Sequence, residues 1–95
     1  MGDYVIEPSP GVLALRGEFD LGNAEELRAA LATARGTGDR IDVHLDGLTF
    51  MDSSALNELI RPIQDGCELT LHGCPPLVRR LLTVTGVESV LKIVD

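Results

Sequence analysis

Ile41-Asp42-Val43-His44-Leu45-Asp46-Gly47-Leu48-Thr49-Phe50-Met51-Asp52-Ser53-Ser54-Ala55-Leu56 decides the fold of this chain. Its first six residues alternate strictly, with Ile41, Val43 and Leu45 on one side and Asp42, His44 and Asp46 on the other, the period of a half-buried strand. Beyond Asp52-Ser53-Ser54, the apolar residues Leu56, Leu59, Ile60 and Ile63 recur at i, i+3, i+4 and i+7. That spacing predicts a helix starting near Ser54. Pro62 lacks an N–H and crowds the turn behind it, so this helix is expected to end or kink near Arg61. Glu68 to His72 repeats the strict alternation. A sheet covered on both faces would show continuous apolar strands instead, so the helices are expected mainly on one face.

The same reading extends to both ends. Tyr4-Val5-Ile6 and Val12-Leu13-Ala14-Leu15-Arg16 read as two strands of a hairpin, joined through the turn residues Pro8, Ser9, Pro10 and Gly11. Gly17 then releases the chain from the sheet. Asn23, with Glu26 three positions on, is an N-cap signature, and Gly36 is a C-terminal stop, which bounds a first helix at Ala24 to Arg35. A third helix runs from Pro76, a favoured first-turn residue, through Leu77, Leu81 and Leu82 to a stop at Gly86. Val87 to Val94 is expected to hold a last helical turn or a short strand.

The chain has 95 residues, 44% of them hydrophobic and 24% charged, which is one globular domain over residues 1–95 and not a disordered segment. A chain of this size buries only about 60 to 65% of its unfolded surface. Little core is left over for an enclosed catalytic pocket. Fifteen acids against eight bases give a charge of -7, and one Tyr, two Phe and no Trp offer no stacking platform for bases. Nucleic acid is therefore not expected as a partner. No apolar run approaches the roughly 20 residues that span a bilayer, and Met1-Gly2-Asp3-Tyr4 has no basic stretch ahead of an apolar one, so a cytoplasmic protein without a membrane or targeting segment is expected.

Cys67 and Cys74 flank the predicted strand Glu68 to His72, which holds the thiols roughly 23 Å apart at about 3.3 Å per residue. Disulfide bonding is out of reach. Two Cys and His72 strung along a strand do not have a zinc spacing, and no metal or cofactor is expected.

Chemistry concentrates where the central strand hands over to the second helix. Asp52, Ser53 and Ser54 are each competent N-caps, able to accept from orphan N–H groups of the first turn. The alternative is that one serine accepts a phosphate. A phosphoserine brings about -1.5 to -2 charges to a helix end whose dipole and free N–H groups tolerate an anion. A nucleophilic role is disfavoured, because His44 and His72 lie on predicted strand faces and no Gly-x-Ser-x-Gly elbow exists. No Gly-Lys-Ser/Thr phosphate loop occurs either. Asp20 reads locally as a loop or capping residue.

Four pieces in this order resemble one family. They are Leu15-Arg16-Gly17-Glu18-Phe19-Asp20, the helix start Asn23-Ala24-Glu25-Glu26-Leu27, the segment Phe50-Met51-Asp52-Ser53-Ser54, and Pro76-Leu77-Val78-Arg79-Arg80-Leu81 ending at Thr85-Gly86-Val87. The family is that of the STAS domains, and within it the bacterial anti-sigma factor antagonists. The resemblance implies an α/β fold with a mixed four- to five-stranded sheet. It further implies a non-enzymatic switch: the serine after the aspartate, here Ser53, is phosphorylated by an anti-sigma factor with a histidine-kinase-like serine kinase fold, and a serine phosphatase restores it. The unphosphorylated form holds the anti-sigma factor and frees the sigma factor. Asp20, Asp52, Ser53, Ser54 and Ala55 are the implied partner-binding residues, with Ser54 as the helix cap. Two departures stand out: Ala55 replaces a common Gly, and Pro62 shortens the second helix. The alternative within the same fold is an unphosphorylated scaffold or subunit of a signalling or transport assembly.

Overall fold

The computed structural model describes residues 3–94. Strands β1 (Tyr4–Ser9) and β2 (Val12–Phe19) form an antiparallel hairpin, and β3 (Arg40–Met51), β4 (Glu68–His72) and β5 (Lys92–Val94) follow in parallel, giving the spatial order β1-β2-β3-β4-β5. Helices α1 (Ala24–Arg35), α2 (Ser53–Gln64) and α3 (Pro76–Thr85) make the three crossovers between neighbouring parallel strands. Because such crossovers are right-handed and the strand order advances in one direction only, all three helices land on the same face. The sheet's other face carries Asp42, His44, Thr70 and His72, set in register across β3 and β4. The mixed five-stranded sheet and one-sided helices agree with the alternation read from residues 41–46 and 68–72.

The core lies between sheet and helices. Leu13, Leu15, Ile41, Val43, Leu45, Leu69 and Leu71 point into it from the strands, and meet Leu27, Leu31, Leu56, Leu59, Val78 and Leu82 from the helices. Phe19 closes one end, fully buried, with Tyr4 set edge-on at 5.7 Å between ring centroids. The radius of gyration is 11.8 Å, that of a well-packed domain of this length.

Several boundaries differ from the sequence expectation. Gly17 does not release the chain: β2 continues through it to Phe19, and Gly17 adopts φ 90 with the backbone of Asp3 and Tyr4 directly against its α-carbon. A side chain there has no room. The turn between β1 and β2 shrinks to Pro10-Gly11, with Pro8 inside the edge strand, where a missing donor breaks no ladder bond on the open side. β3 runs on past Asp46 to Met51 because β2 continues beside it, pairing Gly17 with Leu48 and Phe19 with Met51. The tail holds both expected alternatives, a 3-10 turn at Glu88–Val90 and then β5.

Helix α2 does not stop near Arg61. Pro62 sits buried in its last turn, and the helix continues to Gln64 before Asp65 N–H donates to the Arg61 and Pro62 carbonyls. So near the end, the proline deletes one helical hydrogen bond without interrupting the turns before it. Asn23 also behaves differently. It precedes α1 but makes no side-chain cap to it.

A buried acid ties α1 to α2. Glu58, with 7% of its side chain exposed, accepts from Arg28 Nε at 2.9 Å and Arg28 Nη2 at 3.0 Å, and from Arg61 Nε at 2.9 Å. This two-pronged pairing is the strong form of a carboxylate–guanidinium contact. The hydrogen bonds from Arg28 hold the Glu58 carboxyl below the usual range, with Arg61 adding to the effect and burial opposing it. A carboxyl whose folded pKa is depressed stabilises the fold above its unfolded value of about 4.3 and ceases to do so as the pH falls through the lower folded value. Replacing Glu58→Gln is expected to cost about 1 to 2 kcal/mol at neutral pH, discounted for the half-exposed arginines. In urea titrations, the gap between variant and wild type should close as the pH is lowered below about 4.

Candidate functional site

The site forms where β2 and β3 end side by side. Their last rung pairs Phe19 with Met51, and Asp52 N–H then donates to the Phe19 carbonyl at 3.1 Å. This one bond brings the residues after the two strands, Asp20 and Asp52, to the same edge of the sheet.

Each aspartate then starts a helical element. Asp20 is the N-cap of a 3-10 turn at Leu21–Asn23, its Oδ1 accepting Gly22 N–H at 2.8 Å. Asn23, nearly buried, locks this corner: its Oδ1 accepts Asp20 N–H at 2.9 Å and its Nδ2 donates to the Glu18 carbonyl at 2.9 Å. The Asn23 signal read as a cap for α1 thus serves the preceding turn. Asp52 has extended backbone angles and caps α2, with Oδ1 accepting Ala55 N–H at 3.0 Å. Of the three competent caps, the aspartate takes the role, and the expectation that Ser54 caps α2 is corrected. The reason is positional: Asp52 is the last non-helical residue, and only a residue there has its side chain beside the free first-turn N–H groups.

With the cap assigned to Asp52, Ser53 is the first residue of α2 and is exposed, Ser54 is the second and half-buried, and Ala55 is fully buried. Ala55 therefore presents no side chain to a partner. Its methyl group packs in the core and its N–H receives the cap, so an alanine in place of glycine is accommodated without strain. Asp20, Asp52 and Ser53 remain as a solvent-reaching set, and the first turn of α2 holds no further acid. Leu21, 76% exposed, and Phe50, 40% exposed, belong to the two segments that end at this edge. The sequence pattern gave no role to Leu21 and noted Phe50 only within the segment Phe50 to Ser54, because single apolar residues in a loop or a strand end carry no periodicity.

The other singled-out residues lie elsewhere. His44 and His72 occupy matched positions on the open sheet face, their rings stacked at 4.6 Å and 18°. His72 Nε2 lies 2.9 Å from Asp42 Oδ1, and this hydrogen bond holds the Asp42 carboxyl below its usual range. Neither histidine is beside Ser53 in the sheet register. Cys67 and Cys74 are free and buried, and burial pushes both thiols up, away from the reactive thiolate. Among the described residues no group of three His, Cys, Asp or Glu is arranged to hold a metal ion, and no helix is long and apolar enough to cross a membrane.

This combination of a one-sided five-stranded sheet and an aspartate-capped helix at the β3 edge defines a STAS-type domain. The chain belongs to the STAS family: the family described as "Mlab, STAS domain" matches residues 3–94. A curated relative, the STAS-domain containing protein PA14_20770 of Pseudomonas aeruginosa strain UCBPP-PA14, is 31% identical over 85 residues, covering 85% of this chain and 84% of its own. Among solved structures, an anti-sigma factor antagonist from Mycobacterium paratuberculosis superposes with a TM-score of 0.74 at 18% identity, over 98% of this chain and 85% of that one. The anti-sigma factor antagonist SpoIIAA in its unphosphorylated form gives 0.65 at 21% identity, over 98% and 88%. The phosphorylated form, from Bacillus, gives 0.66 at 22%, over 98% and 92%.

The assignment of the cap is directly testable. Asp52→Ala removes the acceptor for Ala55 N–H and should lower stability by about 1 kcal/mol. Asp52→Asn, which keeps an acceptor, should recover most of that loss in urea denaturation, whereas Ser54→Ala should fall within about 0.5 kcal/mol of wild type.

Proposed function

We propose that this protein is an anti-sigma factor antagonist, a non-enzymatic cytoplasmic switch whose Ser53 is phosphorylated by its partner. The carrying observation is the exposed hydroxyl-bearing first residue of α2, which follows Asp52 at the same sheet edge as Asp20. Because Asp52 supplies the cap, Ser53 is not needed to hold the helix. Its side chain is available for modification.

In the unphosphorylated form, Asp20, Asp52 and Ser53 form the surface that binds an anti-sigma factor with a histidine-kinase-like serine kinase fold, which frees the sigma factor. That kinase transfers the γ-phosphoryl group of ATP: the Ser53 Oγ–P bond forms, the bond to ADP breaks, and the hydroxyl proton passes to a base of the kinase. The product adds about -1.5 to -2 charges beside two carboxylates that already stand at this edge. The helix tolerates the anion through its N-terminal N–H groups and dipole. The partner surface does not, so the complex separates until a serine phosphatase hydrolyses the phosphate ester. Family membership supports this reading, as does the likeness in fold to an antagonist solved in both phosphorylation states.

Incubation with the cognate kinase and ATP is expected to label wild type and leave Ser53→Ala unlabelled. Ser53→Ala should retain the anti-sigma factor, while Ser53→Asp should bind it at least about tenfold more weakly in calorimetry, the effect of a like charge placed in an interface. Wild type left unlabelled, with both variants bound equally, would favour the constitutive scaffold or subunit instead.

A further inference from the structure

We propose that the groove between α1 and α2 is a second binding site, which takes an acidic peptide segment from a partner protein. It does not rest on the Ser53 reading. Because α1 and α2 both run back from the same edge of the sheet, their N-termini lie together near Asp20 and Ser53, and the groove lies farther along the pair, lined from Arg28 on α1 and from Glu58 on α2. Glu58, the lining residue of α2 nearest to Ser53 in sequence, is five residues beyond it, about 7.5 Å along the helix. The two sites are thus separate surfaces.

The groove has a volume of 570 Å³ and is lined by three arginines, Arg28, Arg35 and Arg61, against two acids, Glu58 and Asp65. This is a local excess of positive charge on a chain of net charge -7. It collects three of the eight basic residues. One buried carboxylate serves two guanidiniums here: Glu58 takes both prongs of Arg28 and the Nε of Arg61. Both arginines remain more than half exposed, at 52% and 56%, and each has five N–H donors. Two preset forks with unused donors are the geometry that recognises carboxylates. Arg35 is different, since it donates to the Gly38 and Asp65 carbonyls and braces the end of the groove.

Arg28 and Arg35 on α1 and Arg61 on α2 spread the positive charge along the groove, which suits a segment with several carboxylates over a single free anion. Of the apolar lining residues only Ala32 is exposed, Leu31 and Pro62 being buried. Charge complementarity then selects the occupant, because the three arginines offer an acidic segment a favourable field on a chain of net negative charge.

The test uses a short fluorescent peptide of Glu-Glu-Leu repeats titrated with the full chain, read by anisotropy. Wild type should bind it, while the matching Gln-Gln-Leu peptide should bind at least about tenfold more weakly. Ala32→Glu puts a negative charge into the groove at an exposed position without removing any side-chain hydrogen bond, and should weaken binding at least about tenfold. Val84→Glu, the same charge change on α3 outside the groove, should leave it within about twofold, as should Ser53→Asp. Absence of binding by wild type, equal binding of the two peptides, or equal loss in Ala32→Glu and Val84→Glu would overturn the proposal. So would full displacement of the peptide by millimolar inorganic phosphate, which would make the groove a small-anion site.

Discussion

Two hydrogen bonds made by one residue organise the working end of this domain. The backbone N–H of Asp52 joins the end of β3 to the Phe19 carbonyl at the end of β2, and its carboxylate accepts the Ala55 N–H to begin α2. The first bond sets the position of the helix start relative to Asp20. The second satisfies the helix end with the aspartate, so the serine that follows is left with no structural duty. A serine in the capping position would have its hydroxyl engaged by the helix, and modifying it would compete with folding. Here the cap falls to Asp52 and the adjacent Ser53 is left exposed, as the proposed modification requires.

The arrangement depends in turn on the one-sided sheet. Three right-handed crossovers in one direction put α1, α2 and α3 on one face, which lets the N-termini of α1 and α2 converge on one edge. The Arg28–Glu58–Arg61 cluster then fixes the two helices against each other farther along their length. On the proposed reading the surface carries the function, and a net charge of -7 means that a phosphate would change the total little. Its placement beside Asp52 is what a partner would sense.

Much of this was legible in the sequence because it is written in short-range pattern. The alternation of Ile41 to Asp46 and of Glu68 to His72 gave the strands and their wet face, while Asn23 and Gly36 bounded α1, and Pro76 and Gly86 bounded α3, correctly. What escaped depends on partners distant in sequence. β3 continues through Leu48 to Met51 only because β2 continues beside it, and Gly17 extends β2 only because Asp3 and Tyr4 pack against it. The assignment of the cap among Asp52, Ser53 and Ser54 was open locally, since all three residue types are competent. It was settled by where β3 ends. The pairing of Arg28 with Glu58 joins residues 30 positions apart and leaves no periodic trace. Pro62 misled because its rule describes helix interiors, and it stands in a last turn.

The central claim is that a phosphate on Ser53 is tolerated by the domain's own helix and felt by its partner. Amide hydrogen–nitrogen correlation spectra of the chain before and after stoichiometric phosphorylation at Ser53 test it most directly. The account predicts shifts confined to Asp20 through Asn23 and Met51 through Leu56, with the rest of α2 unmoved and its amides equally protected from exchange. Loss of protection along α2, or shifts spread through the core strands, would contradict it.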